Sequence, residues 1–151
     1  MAGINVSIRS FTLVELIIVI IVVGILAALG LTQYEQVVEK SRLAEAKVFI
    51  GTMRNYAYKY QLANGSFEGM TAADVGVESV CTSRSYFSYS LGNSTTFVSL
   101  IANRCSSGGK EPNTDKGYIF FQRLYLTGKT TWGCRWDSDS SSCFGFSAYP
   151  D

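Results

Sequence analysis

Residues 11–31 read Phe-Thr-Leu-Val-Glu-Leu-Ile-Ile-Val-Ile-Ile-Val-Val-Gly-Ile-Leu-Ala-Ala-Leu-Gly-Leu, an apolar run broken by a single charge, Glu15. In a helix rising ~1.5 Å per residue, such a run covers the ~30 Å hydrocarbon core of a bilayer. Its β-branched residues do not argue for a strand, because in lipid a single segment satisfies its own backbone only as a helix. One carboxylate in that setting is expensive, roughly 2.5 kcal/mol or more at a helix centre, so it implies a function and a partner. The run holds no cation, so the partner is expected from elsewhere. The nearest source is an amine made by cutting the chain just before Phe11.

A short polar leader, residues 1–10, precedes the run, with Arg9 as its one basic side chain. An ordinary secretory signal has a shorter apolar region that ends in a small-residue cleavage site. Ala27 and Ala28 offer only a weak imitation of one.

The stretch Arg9-Ser10-Phe11-Thr12-Leu13-Val14-Glu15, followed by a long aliphatic helix, resembles the amino terminus of type IV pilins and of the pseudopilins of type II secretion. The close likeness covers residues 9–46. The resemblance implies cleavage between Ser10 and Phe11 by a prepilin peptidase and methylation of the new Phe11 amine. It also implies pairing of Glu15 with the Phe11 amine of a neighbouring subunit. Two positions depart from the family pattern: Ser10 stands where Gly is usual, and Thr32 stands where a helix-bending Pro is common.

Beyond the run the helix continues to about residue 63. Leu43, Ala46, Ile50, Met53, Ala57 and Tyr60 recur in steps of three and four, which makes one apolar stripe. Asn64-Gly65 is a stop signal, since glycine accepts the left-handed conformation that ends helices. Thr71-Ala-Ala-Asp74 has the spacing of a helix cap. Strand-like runs rich in aromatic and β-branched residues follow at 86–91, 95–102, 118–127, 130–136 and 144–149. A helix followed by strands predicts an α+β fold, with a long amino-terminal helix packed on a small antiparallel sheet. The organisation read from the chain is a leader at 1–10 and a membrane or filament-core helix at 11–31. An amphipathic continuation at 32–64 leads into a globular head at 65–151.

Cys81, Cys105, Cys134 and Cys143 all fall in the head, and four cysteines allow three pairings. We favour Cys134 with Cys143, closing a small loop, and Cys81 with Cys105. A zinc site lacks a close Cys-x-x-Cys pair and any histidine. Asp137 and Asp139 are thin support for a calcium site, which wants about six to eight oxygens. Asn64-Gly65-Ser66 and Asn93-Ser94-Thr95 fit a glycan acceptor pattern that chance also produces.

The absence of histidine rules out Ser-His-Asp and Cys-His nucleophile systems. A net charge of +1 gives no field for nucleic acid. No cofactor or metal is implied, and the chain does not read as an enzyme. The expected partners are further copies of itself, the prepilin peptidase, an inner-membrane assembly machinery and the membrane before assembly. The expected location is the inner membrane first, then an extracellular filament, or a periplasmic one for a pseudopilin. A minor pilin and a membrane-anchored adhesin remain as alternatives.

Overall fold

The computed structural model describes residues 11–77 and 79–149. The leader, with Arg9 and Ser10, lies outside the described residues. The first element is α1 (Leu13–Asn64), 52 residues long. The chain divides into two compact units, one ending at Glu39 and the other starting at Lys40.

Within the first unit, residues 13–31 of α1 are apolar on all sides apart from Glu15, and every side chain from Phe11 to Leu31 is exposed. Ile20 is 67 % exposed and Leu26 64 %. The segment is long and apolar enough to cross a membrane. Methyl groups added at Gly24 or Gly30 would meet nothing within 4 Å.

The second unit is a helix laid on a sheet. Leu43, Ala46, Ile50, Met53 and Ala57 are each at most 2 % exposed, so the stripe expected at helical spacing is the buried face of α1. The helix ends where expected: Gly65 takes φ +75°, and its amide donates to the Gln61 carbonyl at 2.7 Å. Tyr58 and Tyr60 anchor this end, donating to the carbonyls of Gly128 and Glu68. A short 3-10 turn at Ala72–Val75 follows. Both the amide and the hydroxyl of Thr71 donate to the Asp74 carboxylate at 2.7 Å. The backbone bond first, and the hydroxyl second, hold the Asp74 carboxyl below its ordinary value.

Four strands complete the head: β1 (Phe87–Asn93), β2 (Phe97–Arg104), β3 (Tyr118–Tyr125) and β4 (Thr130–Trp136). They pair in chain order, each antiparallel to the next. Alternation puts Phe87, Tyr89, Val98, Leu100, Ala102, Tyr118, Phe120 and Leu124 into the core with the α1 stripe. Burial, and then the charge of Glu45, push the Tyr89 phenol far above its ordinary range. Asn93 donates to the carbonyls of Phe67 and Met70, tying the turn after α1 to the end of β1.

The fifth expected strand, at 144–149, does not form. Phe144 and Gly145 take φ of 52° and 82°, which breaks an extended run at its start. The segment is held by a backbone bond to β4, the Cys134 amide donating to the Ser147 carbonyl at 2.9 Å, and by its rings. Phe144 packs edge-on to Tyr118 at 5.0 Å and Phe146 edge-on to Phe120 at 5.2 Å. At Gly133 a side chain has no room, because a Cβ there would lie 2.3 Å from the Phe121 ring.

Among the described residues two polar side chains are buried, Arg104 and Gln122, and Gln122 is the one with an unpaired amide. Gln122 is 1 % exposed, and neither atom of its amide has a hydrogen-bond partner. An unpaired buried amide costs roughly 1–3 kcal/mol. Thermal unfolding of the full chain in micelles should therefore separate two substitutions in this core. Gln122→Leu should raise the midpoint, while Ile50→Ala should lower stability by about 2–5 kcal/mol through the cavity it leaves.

Candidate assembly site

The first turn of α1 carries the chemistry that the apolar run singles out. Thr12 stands at the cap position just before Leu13, and Glu15 is the third residue of the helix. The Thr12 amide donates to Glu15 Oε2 at 2.8 Å and the Thr12 hydroxyl to the same oxygen at 2.7 Å. In return the Glu15 amide points at Thr12 Oγ1, 3.3 Å away. This is a capping box, in which each residue satisfies an amide that the helix itself leaves unpaired.

The arrangement has a physical reason in hydrocarbon. Water is not there to receive the first amides of a helix, and each unsatisfied one costs several kcal/mol. Glu15 takes one of those donors, and its negative charge lies at the positive end of the helix dipole. The sequence reading sought its partner outside the run, whereas Thr12 supplies one from within it. Thr12 is thus a site residue that the reading missed. The signal was there, since Thr12-x-x-Glu15 has the spacing recognised at Thr71 and Asp74.

Phe11 is 77 % exposed and directly precedes the cap. Ser10, the other side of the expected cut, lies outside the described residues. A carboxylate has about four acceptor sites, and the two Thr12 bonds leave room for a further donor. Phe11 and Glu15 are therefore close in sequence at an uncovered helix start, with acceptor capacity to spare.

In the head, Cys81 is joined to Cys105 with Cα atoms 5.9 Å apart. Cys134 is joined to Cys143 with Cα atoms 5.2 Å apart. Asp137 and Asp139 lie in the loop that the second bridge closes. Asp139 accepts the Ser141 amide at 2.9 Å, and hydrogen bonding to Ser141 holds its carboxyl below the ordinary value. Among the described residues no cluster of three or more His, Cys, Asp or Glu side chains is placed to hold a metal ion.

These features define a class: a type IV pilin-like α+β fold, with an exposed apolar helix carrying one acid at its start and a sheet-covered continuation. Known proteins point the same way. The chain is 36 % identical over 72 residues to a fimbrial protein of Neisseria meningitidis serogroup B. It is 37 % identical over 65 residues to the fimbrial protein EcpC of Eikenella corrodens. It is also 37 % identical over 68 residues to a type IV major pilin protein PilE1 of Neisseria gonorrhoeae. These alignments take in 47 %, 43 % and 44 % of this chain, and 42 %, 42 % and 41 % of the respective relatives. No family model matches the chain. The likeness to these fimbrial and type IV pilin proteins thus covers less than half of this chain and less than half of each relative.

The capping box makes a direct expectation. Thr12→Val keeps the shape of the side chain and the backbone donor but removes the hydroxyl. Loss of such a cap costs about 0.5–2 kcal/mol, so amide hydrogen exchange over residues 12–16 in micelles should speed up by roughly two- to thirtyfold. Unchanged exchange would mean that the hydroxyl does not hold the turn.

Proposed function

We propose that the chain is a structural subunit of a type IV pilus-like helical filament, assembled from the inner membrane after removal of residues 1–10. Three observations support the reading. Relatives sharing about a third of their residues with the chain over the matched stretch are named fimbrial or type IV pilin proteins. The head has the helix-on-sheet form of that class. The observation that carries most weight is the start of α1, where the apolar side chains of residues 11–31 are exposed all round. Such a surface needs lipid, or other copies of itself.

In this reading a prepilin peptidase cuts between Ser10 and Phe11, and the new amine is methylated. The inner-membrane machinery then lifts subunits from lipid into the fibre. Residues 16–31 of neighbouring subunits associate in the fibre interior, since outside lipid they would face water. Each fully buried aliphatic side chain contributes roughly 1.5–3 kcal/mol, so a dozen of them outweigh one ion pair. Glu15 pairs with the Phe11 amine of a neighbour and sets axial register more than strength. Thr12 keeps the carboxylate fixed at the helix start while it waits for that amine. The mature fibre is placed at the cell surface.

Glu15→Ala tests the role. The variant should insert in the membrane and keep both disulfides, yet fibre yield should fall at least about tenfold, a loss that needs only about 1.4 kcal/mol. Normal yield would remove Glu15 from assembly. Mass spectrometry of wild-type fibres should find a chain beginning at methylated Phe11. Fibres that retain residues 1–10 would overturn the pairing.

A further inference from the structure

The two disulfides of the head differ in how well they are shielded. Cys134 is fully buried and Cys143 is 2 % exposed, so both residues of that bridge lie in the core. Cys105 is likewise 1 % exposed. Cys81 is only half-buried, and Val80, Thr82, Ser83 and Arg84 around it are exposed. Of the four bonded cysteines Cys81 is thus the most open to solvent, and access is a main control of thiol–disulfide exchange.

The surroundings decide what such an attack would release. On the Cys105 side the backbone is held by several other bonds. The Cys105 amide donates to the Tyr86 carbonyl at 3.0 Å and the Cys105 carbonyl accepts the Asn113 amide at 2.9 Å. Arg104, 4 % exposed, donates to the Glu111 carbonyl at 2.6 Å, and Arg42 of α1 pairs with the Glu111 carboxylate. Gly109 crosses directly over Cys105, where a Cβ would lie 2.4 Å from the Cys105 Cβ.

On the Cys81 side the holds are few. Residues 79–85 form a strap between the 3-10 turn and β1. Among the described residues it has its own turn, with the Ser85 amide donating to the Thr82 carbonyl at 3.0 Å, and a tie at its end, where the Ser85 carbonyl accepts the Lys110 amide at 2.8 Å. The disulfide is the covalent tie in its middle.

We propose that Cys81–Cys105 is a thiol-exchange site, opened by a dithiol reductant of the thioredoxin-like class while Cys134–Cys143 stays closed, and that opening releases the strap alone. One thiolate of the reductant attacks the Cys81 sulfur, and the Cys81–Cys105 bond breaks. Cys105 leaves as a thiolate and takes up a proton. The second thiol of the reductant, as its thiolate, then attacks the mixed disulfide, and Cys81 is released and protonated. Two electrons and two protons pass to the protein, and the reductant departs as its own disulfide. The sheet and the seat of α1 remain, because their ties do not run through this bridge.

The test uses the full chain in detergent micelles, titrated with dithiothreitol and trapped at intervals with an alkylating reagent. By mass spectrometry, Cys81 and Cys105 should become alkylated at least about tenfold faster than Cys134 and Cys143. Trypsin cleavage after Arg84 should rise in step with that alkylation, with β2, β3 and β4 staying intact. Simultaneous alkylation of all four cysteines, or earlier alkylation of Cys134 and Cys143, would overturn the assignment. So would an Arg84 that stays resistant once Cys81 and Cys105 are free. The double variant Cys81→Ser, Cys105→Ser should show the Arg84 cut without reductant. If that variant fails to fold, the wild-type alkylation order still decides.

Discussion

An apolar helix with nothing packed on it has two demands to meet: a medium for its side chains and partners for its first amides. In the first unit of α1 the side chains from Phe11 to Leu31 are uncovered. Two of the opening amides, those of Thr12 and Glu15, are answered by each other's side chains. Hydrocarbon makes both demands acute, since it offers no hydrogen bonds at all. The carboxylate that looks anomalous by composition is, at this position, what completes the turn. Its charge is a second property, available to a donor from outside.

The head meets its demands in the ordinary way, by burying one stripe of a helix against one face of a sheet. Its unusual points are those where a single residue departs from that scheme. Gly133 leaves space for the Phe121 ring. Gln122 buries an amide in the middle of β3 without a hydrogen-bond partner. Phe144 and Phe146 fill the rim with rings where a fifth strand was expected. Tyr86 sits under three cations, with Arg42, Arg104 and Lys110 between 4.8 and 5.6 Å from its ring centre. Its hydrogen bond with Lys110 raises the ammonium pKa.

The long connections are held by stitching rather than by a core of their own. The loop between β2 and β3 relies on Arg104, Glu111 and a glycine pair, and the strap before β1 relies on Cys81. Cys81–Cys105 ties one such connection to the sheet, while Cys134–Cys143 lies within the core and closes the loop after β4; each also restricts the unfolded chain.

Much of the fold was legible because its signals are local. Steps of three and four marked Leu43 to Ala57 as a buried stripe, and a run of aliphatic residues marked the span. Gly65 marked the helix end within a residue. The capping box at Thr12 is equally local, carried by the Thr12-x-x-Glu15 spacing, although the apolar run by itself points only to the charge of Glu15. What composition could not tell is which extended-looking segment joins the sheet. Residues 144–149 have strand-like composition, yet the left-handed turn at Phe144 and Gly145 and the docking of the two rings decide otherwise. The same holds for Gln122, whose burial follows from the register of β3 against β2 and β4. It holds also for the unequal shielding of Cys81 and Cys134. By itself the sequence determined a helix apolar all round and then on one side, since that pattern repeats every turn. Only the tertiary structure decided which polar groups lose water, because that depends on contacts between residues far apart in the chain.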